Sequence, residues 1–82
     1  MNNKAKRLID NEKISNEEFE LISHIVKVRI ESKITQSELA KKTGISQPNI
    51  TRFEKNTHSA SLSTTIKVLD ALGYKLKIEK KS

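Results

Sequence analysis

The sequence has 82 residues, no cysteine, and 16 basic against 10 acidic side chains, which gives a net charge of +6. This length is that of one domain with a small core that needs no disulfide. The lack of cysteine excludes a disulfide framework and a thiolate metal site. No apolar run approaches membrane-spanning length and residues 1–14 are too polar for a signal peptide, so we expect a cytoplasmic domain without membrane contact.

The positive charge is concentrated in the second half of the chain. Residues 36–82 hold nine basic and four acidic side chains, whereas residues 1–35 hold seven and six. An excess of this kind favours phosphate-bearing partners. Many solvated surfaces are rich in lysine, so the charge is evidence for such a partner only where it coincides with a motif.

The first segment, residues 1–14, is predicted to be a polar arm or a short helix. Its single apolar pair is Leu8-Ile9, which follows Arg7. From the pattern alone, a frayed terminus is favoured.

A long helix follows this segment. Ser15 and Glu18 have the spacing of a capping box and open a helix that extends to about Lys33. The apolar stripe of this helix is wider than one small bundle needs: Phe19, Leu21, Ile22, Ile25, Val26, Val28 and Ile30. The surplus around Phe19, Leu21 and Val28 either contacts a partner or completes the core or a dimer interface.

Residues 36–54 are predicted to form two short helices joined by a tight turn. Thr35 and Glu38 provide a capping box for the first helix. Gly44 follows its last periodic residue, at a place where a left-handed backbone suits glycine. This pattern is typical of a helix-turn-helix, although the apolar spacing alone would fit any small helical protein.

The second helix of this unit has an unusual surface. Ser46 caps it, and Ile50 and Phe53 face inward. Its outward side carries amides, a hydroxyl and a guanidinium where a merely solvated face favours Lys and Glu: Gln47, Asn49, Thr51, Arg52 and Asn56. Because such groups form hydrogen bonds with base edges, we predict that this helix reads DNA.

A fourth helix is predicted from Leu62 to Leu72, with Ser61 as its cap and Gly73 at its end. Four apolar residues at helical spacing are predicted to face the core: Leu62, Ile66, Leu69 and Leu72.

The tail, residues 74–82, changes period. Tyr74, Leu76 and Ile78 alternate with charged residues, which is typical of a half-buried strand. No second strand is predicted, so the strand edge has no partner within the chain. We predict antiparallel pairing with the same strand of a second copy across a two-fold axis, giving a homodimer; a frayed tail is the alternative.

Residues 25–73 resemble the Cro/C1-type (XRE) helix-turn-helix family. The resemblance is carried by Thr35-Gln36, Glu38-Leu39-Ala40, Gly44-Ile45-Ser46-Gln47, Ile50-Thr51-Arg52-Phe53-Glu54 and Leu69-Asp70-Ala71-Leu72-Gly73. We therefore predict an all-α fold, a compact four- to five-helix bundle over residues 15–73. Two residues depart from the family pattern: Thr43 replaces an apolar residue before the turn, and Pro48 lies just inside the recognition helix.

The resemblance also implies roles for particular side chains. Arg29, on the inward side of the first long helix, needs an acidic partner, and Glu54 is the candidate for a structural ion pair. The predicted base-reading residues, in the major groove of a palindromic operator, are Gln47, Asn49, Thr51 and Arg52. The predicted phosphate contacts are Gln36, Ser46, Lys55, Asn56 and Thr57. Gln36 is further expected to brace Gln47.

The whole layout is similar to antitoxins of the host-inhibition-of-growth type. This similarity is carried by Arg7-Leu8-Ile9, by Asn16-Glu17-Glu18-Phe19-Glu20-Leu21, by Val28-Arg29-Ile30-Glu31-Ser32, by Thr35-Gln36 and by the segment from Ala71 to Ile78. It implies repression of a shared operon and neutralisation of a small basic toxin that cleaves mRNA. The candidate toxin contacts are Arg7, Leu8, Ile9, Phe19 and Leu21. The alternative is a stand-alone dimeric repressor of the phage or restriction–modification controller type.

An enzyme is not predicted. The sequence has no metal-ligand spacing, no glycine-rich phosphate loop and no paired nucleophile and base. We therefore expect no catalytic residue, no metal and no cofactor.

Overall fold

The computed structural model describes residues 14–82, and in that part of the chain it contains four α-helices: α1 (Asn16–Glu31), α2 (Gln36–Thr43), α3 (Gln47–Lys55) and α4 (Leu62–Ala71). The prediction of an all-α bundle is confirmed for these residues. Residues 1–13 of the predicted arm, which spans residues 1–14, lie outside the described part of the chain. None of the four helices is both long and apolar enough to span a membrane.

A side-chain cap begins each of these helices. Ser15, Thr35, Ser46 and Ser61 each accept a hydrogen bond from the backbone N–H three residues later. The capping box of α2 is complete, because the Thr35 N–H donates to Glu38 Oε1 at 2.8 Å. This N–H, with the Thr35 hydroxyl, holds the pKa of the Glu38 carboxyl below its usual value. The cap is therefore weakened when the pH falls through that lowered pKa.

The capping box predicted for α1 is only half formed. Ser15 accepts a hydrogen bond from the Glu18 N–H at 3.1 Å. The Glu18 carboxylate, however, accepts from the Ser59 hydroxyl at 2.9 Å and from the Ala60 N–H at 2.7 Å. The reciprocal box is wrong because the loop before α4 offers this carboxylate two donors, and the start of α1 is joined to the start of α4 instead.

A residue in the left-handed conformation follows the end of each of the four helices. These residues are Lys33, Gly44, Asn56 and Gly73, with φ values of 61°, 78°, 59° and 90°. Because Lys33 has left the right-handed region, α1 ends at Glu31 and not at about Lys33 as predicted.

The core is small and lies where the helices meet. Its buried apolar residues, among those described, are Ile22, Ile25, Leu39, Ile50, Phe53, Val68 and Leu69. α2 packs against α3 and α4, and α1 packs against α3. Ala40 lies partly buried against this core, where its small side chain permits close packing of the helices.

The face that α4 turns to the core differs from the prediction. Thr65 and Val68 are buried, whereas Leu62 is 66% and Ile66 is 47% exposed. Thr65 tolerates burial because its hydroxyl donates to the Ser61 carbonyl oxygen at 3.0 Å. The inward assignment of Leu62 and Ile66 is therefore wrong, and these residues form an exposed apolar pair one helical turn apart.

The tail after Gly73 has no regular secondary structure in the single chain. Tyr74, Leu76 and Ile78 keep their alternation with charged residues but are exposed, Ile78 to 99%. The predicted strand is not formed, because a strand needs a hydrogen-bonded neighbour and residues 14–82 of one chain supply none.

Candidate nucleic-acid interface

The turn between α2 and α3 is held by its backbone conformation and by one hydroxyl. Gly44 has a φ of 78°, in the region that favours glycine. The Thr43 hydroxyl donates to the Leu39 carbonyl oxygen at 2.8 Å and accepts from the Ile45 N–H at 3.1 Å. This departure from the family pattern therefore supplies a polar connection between α2 and the turn, which fixes where α3 begins.

An ion pair attaches α1 to α3. Arg29 Nε and Nη2 donate to the two carboxylate oxygens of Glu54 at 2.5 and 2.8 Å, the paired geometry that suits a guanidinium and a carboxylate. Arg29 Nη1 also donates to the Ile34 carbonyl oxygen at 2.7 Å. The two charged side chains are only 12% and 7% exposed, so each charge depends on the other for compensation. The pair fixes α3 relative to α1 and to the segment before α2.

Gln36, at the start of α2, connects this ion pair to another residue of α3. Its Nε2 donates to Glu54 Oε1 at 2.9 Å, and its Oε1 accepts from the Thr51 hydroxyl at 2.9 Å. The sequence resemblance implies instead that Gln36 braces Gln47. The structure differs because Glu54 and Thr51 engage both ends of the Gln36 amide. No sequence signal pointed to the contact with Thr51.

The side of α3 that faces solvent is polar. Gln47, Asn49 and Arg52 are exposed, and Thr51 is half-buried next to Gln36. Gln47 and Thr51 lie one turn apart on one edge of the exposed side of α3, and Asn49 and Arg52 lie together on its other edge, since residues two apart on a helix point about 200° away from each other. Pro48 lies in the first turn, where its missing N–H breaks no helical hydrogen bond. The predicted base-reading residues thus share one short, firmly held helix.

Asn56 has a structural position that conflicts with its predicted phosphate contact. It is buried, it ends α3, and its Nδ2 donates to the Phe19 carbonyl oxygen at 2.9 Å and to Ser23 Oγ at 3.1 Å. The phosphate assignment is wrong because the side chain is directed into α1. The preference of asparagine for a left-handed helix end is the signal that could have identified this role.

The remaining phosphate candidates of α3 lie at the surface. Ser46, Lys55 and Thr57 are exposed. Beside α3 is a groove of about 430 Å³ whose walls include Arg52 and His58. A guanidinium and neighbouring hydroxyls suit phosphate oxygens. Among residues 14–82, no cluster of three His, Asp or Glu side chains is placed to hold a metal ion.

The candidate toxin contacts on α1 do not form one surface. Phe19 and Leu21 are both exposed, but residues two apart on a helix point about 200° away from each other. Leu21 and Tyr74 line an apolar groove of about 130 Å³ between α1 and the end of α4. Phe19 lies on the side that contacts Asn56. The other candidates, residues 7–9, lie outside the described part of the chain.

Comparison with known proteins identifies the class of this domain. Residues 25–78, which include α2, the turn and α3, match the family model described as Helix-turn-helix. Since this match covers well over half of the chain, the protein belongs to the helix-turn-helix family, and the predicted resemblance to the Cro/C1 type is confirmed.

The curated relatives are antitoxins. The chain is 51% identical over 45 residues to antitoxin HipB of Escherichia coli O6:H1 (strain CFT073) and 49% identical over 45 residues to antitoxin HipB of Escherichia coli (strain K12). Each alignment covers 55% of this chain, and the chain spans about half of the length of these relatives, 48% and 51%. The relatives are thus HipB antitoxins and not antitoxins of the host-inhibition-of-growth type.

A solved structure contains a chain with the same fold. It is the structure of a HipA-HipB-O2-O3 complex, and the chain matches with a TM-score of 0.73 and 35% sequence identity. The match covers 87% of this chain and 99% of that chain. The four-helix arrangement is therefore shared with a chain of that complex.

We predict that Glu54→Gln lowers the free energy of unfolding by about 3 kcal/mol, because it leaves the largely buried Arg29 charge, 12% exposed, without a counter-charge. Glu79→Gln, in the exposed tail, makes the same chemical change without this loss. Urea unfolding followed by circular dichroism measures both variants. Equal stabilities for the two would contradict a structural role for the ion pair.

Proposed function

We propose that this protein binds double-stranded DNA sequence-specifically and represses transcription as the antitoxin of a toxin–antitoxin system. The observation that carries the proposal is the polar, solvent-facing side of α3, which side chains from α1 and α2 hold in place. Amides and a guanidinium match the donors and acceptors of the major groove. The positive charge of residues 36–82 adds attraction to phosphates.

In the proposed complex, α3 lies in the major groove with its N-terminal end nearest the bases. Gln47, at that end, is suited to a bidentate contact with adenine, and Arg52 to guanine or a nearby phosphate. Asn49 and Thr51 supply further contacts to bases or backbone. The proposed phosphate contacts are Ser46, Lys55, Thr57 and the second hydrogen of the Gln36 NH₂ group, since Glu54 accepts the first.

We predict that Gln47→Ala costs about 1–3 kcal/mol of binding free energy at one base position and relaxes the preference there. Lys55→Ala is the matched control, since loss of a phosphate contact weakens binding to all sequences alike. Competition binding with single-substitution duplexes, at a fixed salt concentration, gives both profiles. If Gln47→Ala weakens binding equally on every duplex, Gln47 contacts only the backbone.

The proposal includes a homodimer that pairs the tails of two chains. Tyr74, Leu76 and Ile78 keep the alternation of a strand, and they are exposed together with Leu62 and Ile66 of α4. Exposed apolar residues in such numbers favour a protein–protein contact. A two-fold dimer would present two copies of α3 to half-sites about 34 Å apart on a palindromic operator.

We predict that Ile78→Lys weakens the dimer, because burying this side chain against a second chain contributes about 1.5–3 kcal/mol. Glu79→Lys is the control, since it introduces the same side chain at the adjacent position, on the opposite side of the proposed strand. Sedimentation equilibrium measures the dissociation constants. A monomeric parent protein, or equal effects of the two variants, would contradict tail pairing.

The antitoxin part of the proposal is supported by similarity to the two HipB antitoxins and to a chain of the HipA-HipB-O2-O3 complex. We therefore favour a partner similar to HipA. The small basic mRNA-cleaving toxin implied by the sequence resemblance is the alternative partner. The stand-alone phage-type or controller-type repressor is the alternative without any protein partner.

We predict that the affinity-tagged chain, co-expressed with the product of its neighbouring reading frame, retains that product through purification. The sequence of the retained protein decides between a HipA-like partner and a small basic toxin. Phe19→Ser and Leu21→Ser test the two sides of α1 separately. Only the variant on the side that contacts the partner is expected to lose the partner during purification. A chain that binds its own promoter and retains no neighbour product would favour the stand-alone repressor.

A further inference from the structure

The ion pair determines which group donates and which accepts in the hydrogen bonds that link Glu54, Gln36 and Thr51. Both oxygens of the Glu54 carboxylate accept from Arg29, so this side chain acts as an acceptor in the pair. The group of Gln36 that lies 2.9 Å from this carboxylate must therefore be its NH₂. This orientation leaves the Gln36 carbonyl oxygen to face Thr51, at 2.9 Å.

The orientation of Gln36 determines what Thr51 can offer to a ligand. A threonine hydroxyl has one proton, and Thr51 donates it to Gln36. Thr51 can then offer a ligand only the lone pairs of its Oγ1 and its methyl group. Thr51 lies one turn after Gln47 and is half-buried, at the edge of the exposed side of α3. Although a free hydroxyl can donate or accept, this one can only accept.

We infer that Gln36 and Glu54 restrict Thr51 to one kind of base contact. In the major groove, Thr51 accepts a hydrogen bond from the exocyclic amino group of adenine or cytosine and disfavours the keto oxygen of guanine or thymine at the same location. Gln36 is a positioning residue that sets this specificity through Thr51. The inference rests on the proposed DNA binding and assigns a chemical group to one of its contacts.

The first test deletes the two partners of the contact in turn. The purified chain selects duplexes from a randomised DNA library; Thr51→Val then removes the hydroxyl at nearly constant shape. Base analogues remove the amino group: purine replaces adenine, and 2-pyrimidinone replaces cytosine. At one position per half-site, this deletion is expected to weaken binding by the parent protein roughly fivefold to tenfold and to leave binding by Thr51→Val unchanged. Thr51→Ser, which keeps the hydroxyl, is expected to retain the effect.

The second test releases the hydroxyl. Gln36→Leu removes the acceptor of the Thr51 proton, so the hydroxyl can also donate. Exchanging adenine for guanine, or cytosine for thymine, at the identified position is expected to cost the parent protein about tenfold and Gln36→Leu roughly threefold or less. Ser37→Ala, in the same turn of α2, is the control that keeps the parent profile. Thermal unfolding of each variant verifies that it is folded.

The outcomes separate this inference from the proposed function. The inference is overturned, while DNA binding stands, if binding by the parent is sensitive to deletion of a keto oxygen in place of an amino group. It is also overturned if the base preferences of Thr51→Val equal those of the parent at every position. An unchanged profile for a folded Gln36→Leu would do the same. A parent protein that selects no sequence would instead overturn the proposed function itself.

Discussion

A charge that is withdrawn from water must be matched nearby, and here this requirement joins three helices. Arg29 on α1 has its counter-charge in Glu54 on α3, and it also binds the Ile34 carbonyl that precedes α2. Gln36 on α2 then binds the same carboxylate. Since neither charge can be left alone at low exposure without a large cost, the three helices hold one relative arrangement. The exposed side of α3 is therefore held in one orientation relative to α1 and α2.

The core is small, and polar contacts add to it in holding this arrangement. Among residues 14–82, seven apolar side chains are buried, and α2, α3 and α4 have ten residues or fewer, so packing contributes less than in a larger domain. Hydrogen bonds between side chains and backbone supply further connections: Glu18 binds the loop before α4, Asn56 binds α1, and Thr43 binds the turn. The contacts of Glu18 and Thr43 satisfy the N–H groups of Ala60 and Ile45, which lie outside the helices, whereas Asn56 adds a donor to the Phe19 carbonyl oxygen within α1. Polar residues thus determine how the helices meet.

The exposed apolar residues outside the core favour contact with a second chain. Leu62, Ile66 and the alternating residues of the tail are exposed in the single chain. Isolated apolar residues at a surface are common, but a set that includes an unpaired strand pattern favours assembly. In the proposed dimer they would be covered, and the same contact would set the distance between two copies of α3. Assembly and DNA reading would then depend on one interface.

Local patterns in the sequence were sufficient for the helices, their caps and the turn at Gly44, because these depend on residues only a few positions apart. They also placed Gln47 and Arg52 on an exposed helix. Three features depended instead on residues distant in sequence. Thr65, and not Leu62, lies in the core because packing against α2 decides which side of α4 is buried. Glu18 and Asn56 were directed to other elements that offered them donors and acceptors. The direction of the Thr51 hydrogen bond follows from a chain of contacts through Gln36 and Glu54 that exists only once the three helices have packed.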